Sequence, residues 1–274
     1  MNLKSTRFFQ TALISSPIPI PSPHGFSKNA HLCWSAQLLI LSIFHSLPVS
    51  STPILKESVI SPFLKKSTLD KDQLSNYRPI SNLSLISKII ERIVKSRLTD
   101  HLTSNKLLNP HQSAYCKHHS TETALLYIHD HLINAIGSQK LSCLCLLDHS
   151  AAFDTIDHSI LLTRLSSWFG IHGSVLNWFK SYLSSRSFRV RCNNTFSSLC
   201  TSSCGVPQGS VLGPLLFVMY TTPLSTLISS LSLNHHLYAD DTRFFHSTHP
   251  TSIHALPTFR MPFSKSLPGW LPIF

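Results

Sequence analysis

Acidic residues are missing from both ends of this 274-residue chain: no Asp or Glu precedes Glu57, and none follows Asp241. All 12 carboxylate side chains lie between those positions, so a carboxylate-held metal site is confined to that stretch. Charged residues of both signs make up only 13% of the chain, which argues against a long solvated charged tail. No apolar run reaches the ~20 residues that a bilayer-spanning helix needs. Trp34 to Leu47 comes nearest, but it is shorter and carries Ser35, Gln37, Ser42, His45 and Ser46. Lys4 and Arg7 are followed by Ser and Pro rather than by an apolar core, so no signal peptide is expected. These absences predict an intracellular chain, nuclear or cytoplasmic, without a membrane partner. Framework spacing is also lacking among Cys33, Cys116, Cys143, Cys145, Cys192, Cys200 and Cys204, an odd set that excludes a disulfide scaffold. Cys143 and Cys145 sit in a strand-like apolar run and read as packed thiols rather than zinc ligands.

What the chain does have is a basic surplus, 23 Lys and Arg against 12 acidic residues, for a net charge of +11. That balance suits a polyanion and by itself does not choose between nucleic acid and an anionic membrane. Residues 1–48 are rich in Ser and Pro, as in Ser15-Ser16-Pro17-Ile18-Pro19-Ile20-Pro21-Ser22-Pro23, and are expected to be a disordered leader. Residues 49–245 carry the folded unit. Residues 246–274 have five prolines and no acidic residue, and are expected to be an unrelated or degenerate tail.

Periodicity predicts a strand over Ser58 to Lys66. A helix is predicted from about Leu83 to Leu102, with Ile86, Ile90, Ile93, Val94 and Leu98 on its buried face. A second helix begins at Ser120, its N-cap, with Leu125, Ile128, Leu132 and Ile136 as the buried stripe. The strand Leu141 to Leu147 follows, and its alternation puts Leu144, Leu146 and Asp148 on one face. Helices are expected near Ile160 to Phe169 and Val175 to Ser184, then a half-exposed strand from Ser187 to Cys192 with Arg189 and Arg191 on its basic face.

Two acidic motifs carry the chemistry. Asp148 ends the run Leu144-Cys145-Leu146-Leu147, and Tyr238-Ala239-Asp240-Asp241 lies near the other end of the folded unit. Carboxylates from separate strand ends can hold a pair of divalent cations, whereas either motif alone reads as a polar turn. Between them lies Gly205-Val206-Pro207-Gln208-Gly209-Ser210-Val211-Leu212-Gly213-Pro214, a loop by its glycines and prolines.

This order of strand-end Asp, Pro-Gln-Gly loop and Tyr-Ala-Asp-Asp hairpin resembles the palm of reverse transcriptases. Asn76-Tyr77-Arg78-Pro79-Ile80-Ser81, His119-Ser120-Thr121-Glu122-Thr123-Ala124-Leu125-Leu126 and Ser150-Ala151-Ala152-Phe153-Asp154-Thr155-Ile156-Asp157-His158 narrow the resemblance. They point to retrotransposons without long terminal repeats, of the long-interspersed or jockey-like kind. The resemblance implies an α+β right-hand polymerase, fingers and partial palm without the thumb, with an antiparallel sheet flanked by helices. It implies an RNA-directed DNA polymerase acting on an RNA template and a DNA primer, with two Mg2+ ions and deoxynucleoside triphosphates. The alternative is a catalytically inactive retrotransposon-derived fragment that at most binds nucleic acid.

Carried over residue by residue, Asp148 and Asp240 would be the principal metal ligands, with Asp241 beside them. Phe153 would lie beneath the nucleotide sugar, although core packing explains it equally well. Gln208 and Gly209 would lie against nucleotide and template, and Tyr238 near the primer end. Arg78 would reach a phosphate, or else belong to an ordinary surface loop. Asp154 and Asp157 read as capping or structural hydrogen-bonding groups. Where relatives usually read Gly-Phe-Arg, this chain has Ala114-Tyr115-Cys116, so a basic residue near the triphosphate is missing. His149 stands beside a metal ligand where an apolar residue is usual, and is expected to need a hydrogen-bond partner.

Overall fold

Alternating apolar residues and the polar connection at 65–76 produce the first hairpin, β1 (Glu57–Leu64) with β2 (Tyr77–Asn82), antiparallel from Val59 opposite Asn82 to Leu64 opposite Tyr77. The computed structural model describes residues 55–149 and 152–248. The proline-rich leader at 1–48 lies outside them, and only the first three residues of 246–274 fall within them. β4 (Arg186–Cys192) joins β1 in parallel, and the short β5 (Thr195–Phe196) and β6 (Cys200–Ser202) pair with β4. The result is a five-stranded sheet with path β2-β1-β4-β5 and β6 attached to β4.

The second sheet carries the acidic motifs. β3 (Leu141–Asp148), β7 (Asn234–Tyr238) and β8 (Asp241–Thr248) form an antiparallel sheet in the order β3-β8-β7. Five helices complete the described fold, α1 (Leu85–Ser104), α2 (Thr121–Gly137), α3 (His158–Phe169), α4 (Gly173–Leu183) and α5 (Gly213–Ser230), of which α2 and α5 pack on the three-stranded sheet. The fold is α+β with the antiparallel sheet flanked by helices, as expected. Among the described residues no helix is long and apolar enough to cross a membrane.

The main core lies among α1, α3, α4 and α5, with Leu102, Leu161, Leu165, Phe179 and Leu216 sealed inside it. A smaller cluster, Leu224, Ile228 and Phe244, joins α5 to the three-stranded sheet. Burying a side chain of this size contributes about 1.5–3 kcal/mol. α5 therefore ties the sheet to the rest of the molecule.

Two helix faces differ from the expected ones. In α1, Ile86 and Ile93 are exposed while Ser87, Ile90, Glu91, Val94, Leu98 and Leu102 are buried, because Glu91 turns inward to accept three hydrogen bonds. In α2, Ile128 is buried as expected, but Leu125 and Ile136 are exposed and Ala124 and Ala135 take their places. The small alanines let the helix approach the sheet closely enough for Tyr127 and His131 to meet Phe245 of β8. Its start is as expected: Ser120 accepts from the Thr123 N–H while the Thr123 hydroxyl accepts from the Ser120 N–H.

Candidate active site

Strand register brings the acidic motifs together. Asp148, the last residue of β3, is the Cα partner of Asp241, the first residue of β8. Tyr238 of β7 also pairs with Asp241, so Ala239 and Asp240 form a two-residue turn beside them. Ala239 has φ 55°, the left-handed conformation that tight hairpins require. Leu144, Leu146 and Asp148 share a face, as alternation predicts, and Leu146 on that face is exposed. Cys145 and Leu147 turn the opposite way, toward the cluster on α5.

His149 lies within electrostatic reach of all three carboxylates. Burial holds its imidazole below the ordinary value, outweighing the upward pull of Asp240, Asp148 and Asp241. Its Nε2 lies 3.1 Å from Thr242 Oγ1, the partner that a polar ring at this position was expected to need. Arg243 Nη2 stands 3.6 Å from Asp241 Oδ2. Asp241 is thereby shared with a cation.

Asp148, Asp240 and Asp241 supply carboxylate oxygens only, at an accessible sheet end. Among the described residues no three His, Cys, Asp or Glu side chains are gathered into a cage. Such a donor set fits magnesium, which is held by one or two carboxylates plus water and substrate phosphates rather than by an all-protein cage.

The glycine-proline loop is clamped to β2 and to the turn that follows β3. Gly205 has φ 80°, and a Cβ there would meet the Asp154 carbonyl oxygen at 2.8 Å. Its N–H donates to Ile156 O at 2.7 Å, and the Val206 N–H donates to Phe153 O at 2.8 Å. The loop is thus fixed to the turn that follows β3. Further along, the Ser81 N–H of β2 donates to Gln208 O at 2.7 Å, and a Cβ on Gly209 would lie 3.0 Å from Ser81 O. Gln208 Oε1 is buried without a protein partner, an acceptor left open for a donor from outside the chain.

Glu91 secures the far end of this loop. Its Oε2 accepts the Val211 N–H at 2.5 Å and the Leu212 N–H at 3.4 Å, and its Oε1 accepts the Tyr182 hydroxyl at 2.8 Å. The start of α5 is therefore held by a carboxylate 2% exposed. Glu91 has no part in the motifs of the sequence, and an acidic residue among apolar neighbours in a helix is the only signal there that points to it.

Phe153 packs against the main core, with its ring 5.3 Å from that of Phe217. It lies in the segment that binds the Gly205 loop, five residues after Asp148. Asp157 caps α3, its Oδ1 accepting the Ser159 and Ile160 N–H groups at 2.8 and 3.0 Å. These bonds and the Ser159 hydroxyl outweigh burial in the balance that lowers its carboxyl. Asp154 makes no such cap; its carbonyl oxygen accepts the Cys204 thiol. Arg78 is exposed on β2, three residues from Ser81, or about 10 Å along a strand. It belongs to the sheet that carries the loop rather than to the carboxylate cluster.

Tyr115 and Gln112 join the site without having been expected there. Tyr115 is 51% exposed with φ 60°, and its hydroxyl is raised by burial and then by the charges of Asp240 and Tyr238. The unusual Ala114-Tyr115-Cys116 therefore brings a phenol, not a cation, toward the carboxylates. Gln112 is buried behind the turn.

Comparison with known proteins agrees with this geometry. Residues 64–266 match the family model described as reverse transcriptase (RNA-dependent DNA polymerase). A probable RNA-directed DNA polymerase from transposon BS of Drosophila melanogaster is 36% identical over 149 residues, 54% of this chain and 16% of that protein. The RNA-directed DNA polymerase from mobile element jockey of the same species is 29% identical over 211 residues, 75% of this chain and 23% of that protein. The chain thus spans about a fifth of the length of these relatives. Among solved structures, apo telomerase from Candida Tropicalis superposes with a TM-score of 0.53 at 13% identity, covering 85% of this chain and 47% of that one. That likeness shows a shared fold. With the family match across most of its described residues, this chain belongs to the reverse transcriptase family, and its curated relatives include the polymerases of jockey and BS elements.

Proposed function

We propose that residues 49–245 form the fingers and palm of an RNA-directed DNA polymerase that extends a DNA primer on an RNA template. The observation that carries the reading is the register that sets Asp148 opposite Asp241, with Asp240 in the adjoining turn. Asp148 and Asp240 would hold two Mg2+ ions, with Asp241 beside them and steadied by Arg243. When bound, the metal lowers the pKa of the primer 3′ hydroxyl and neutralises charge on the departing pyrophosphate.

The chain's own residues do the positioning. Gln208 and Gly209 lie against the incoming deoxynucleotide, where the absence of a side chain on Gly209 allows close approach and the open Gln208 Oε1 accepts a donor from sugar or base. Phe153 sits beneath the sugar and obstructs a ribose 2′ hydroxyl, favouring deoxynucleotides. Tyr238 packs near the primer end, and Arg78 forks onto a template or triphosphate phosphate. The surplus of cationic side chains, +11 overall, draws in the nucleic acid.

Primer extension on an RNA template with Mg2+ and deoxynucleoside triphosphates tests the reading. Incorporation is expected from the wild-type chain, to vanish when the metal is chelated, and to be lost in Asp240→Asn. Equal incorporation by both proteins overturns the assignment. Salt-sensitive primer-template binding with no incorporation by the wild type supports the binding-only fragment instead.

A further inference from the structure

Gln112 belongs to none of the motifs given a role above, yet it reaches the tip of the acidic hairpin. Its backbone forms a parallel bridge with Leu237 of β7: the Leu237 N–H donates to His111 O at 2.8 Å, and the Ser113 N–H to Leu237 O at 3.0 Å. That bridge aligns residues 111–113 with the edge of β7. The Gln112 side chain, in a residue only 3% exposed, then reaches along the hairpin toward its turn.

Its Oε1 accepts two backbone donors: the Ala114 N–H at 3.0 Å and the Ala239 N–H at 3.3 Å. A carboxamide oxygen has two lone pairs, so one buried atom satisfies both amides. The first belongs to the loop that presents Tyr115, and the second to the turn that presents Asp240. Ala239 and Tyr115 both have positive φ, at 55° and 60°, a conformation L side chains adopt rarely unless the surroundings impose it.

We infer that Gln112 is a positioning residue for the catalytic turn: its carboxamide oxygen holds Ala239 in the left-handed conformation that aims Asp240, and ties the Tyr115 loop to that turn. The role rests on the proposed polymerase reading only in what Asp240 is aimed at; the contact itself stands on the geometry. Leu at this position fills similar space but removes the acceptor, leaving two amides unsatisfied. Glu keeps an acceptor oxygen, and a carboxyl buried here is driven toward its neutral form.

Amide hydrogen exchange read by NMR on the whole chain tests the contact. In the wild type the Ala239 amide is expected to exchange slowly despite its place in a turn; rapid exchange there overturns the inference without any variant. In Gln112→Leu the Ala239 and Ala114 amides should exchange about tenfold faster or more, while those of α3 and α5 keep their protection. Mn2+ added as the metal probe should broaden the Asp240 amide with a midpoint several-fold higher than in the wild type. Gln112→Glu should restore both readouts. Wild-type exchange at Ala239 in the Leu variant, or a Glu variant that behaves like Leu, overturns the role. If the Leu variant unfolds, the wild-type exchange and the Glu variant decide. Primer extension is scored separately: absent extension with a protected Ala239 amide refutes the polymerase reading and leaves the Gln112 contact standing.

Discussion

Asp148 and Asp241 are direct partners across the antiparallel pair of β3 and β8, although 92 residues, 149–240, lie between them in the chain. The pairing depends on register, because a one-residue slip would send Asp148 to the opposite face. Leu144 opposite Phe245 and Cys145 opposite Phe244 hold that register, since Phe245 and Phe244 are buried on opposite faces of the sheet. Replacing Phe244 by Ala should cost about 3–5 kcal/mol. Chemical denaturation would show it as a lowered midpoint.

Gly205→Ala should be destabilising out of proportion to a single methyl group. The new Cβ would strike the Asp154 backbone at 2.8 Å, and φ 80° is unfavourable for any L side chain. A loss of about 1–3 kcal/mol is expected, which a thermal melt of a chain this size would report as a few degrees per kcal/mol. An unchanged melting temperature would mean that the loop is not clamped to the segment after β3.

Glu91→Ala leaves the Tyr182 hydroxyl and the Val211 and Leu212 amides without their acceptor. Each abandoned buried donor costs about 1–3 kcal/mol, so the loss should exceed that of an ordinary surface substitution several-fold. Glu91→Gln keeps one oxygen and should lose less. Equal stability of all three proteins would contradict the buried role.

Acid should weaken the protein through His235 and His236. Burial, then the neighbouring His111 and His236, pushes His235 down to about 4; burial, then Arg243, His111 and His119, pushes His236 down to about 4. Unfolded imidazoles titrate near ~6.5, so between that value and about 4 the unfolded chain binds protons that the native one refuses. Their contribution to stability is complete above pH ~6.5 and is lost as pH falls through this window, by up to about 3 kcal/mol for each ring. Urea melts from pH 7.5 to 4.5 check the sign. His236→Gln, which still offers Ser113 a partner, should flatten the slope.

The meeting of Asp148 with the Tyr238–Asp241 hairpin was legible because each of the two motifs is short and lies at a strand end, where alternation and turn chemistry locate it. Other parts of the fold were not legible, for physical reasons. α5 is apolar on nearly every side and contains Pro223, so it has neither helical periodicity nor an uninterrupted propensity signal. The faces of α1 and α2 were misplaced because Glu91 is buried by its hydrogen bonds, and because Ala124 and Ala135 pack where larger residues were expected. Gln112 gave no signal at all: its partner Ala239 lies 127 residues away, and only the completed sheet brings the two together.

Single-nucleotide incorporation on an RNA template, measured for the wild type, Asp148→Asn, Asp240→Asn and the double variant, tests the central claim most directly. The account predicts incorporation by the wild type, a loss of about 10³-fold or more in each single variant, and a double variant hardly worse, because carboxylates that serve one metal site act as a unit. Wild-type rates in either single variant, or losses that multiply in the double one, would contradict it.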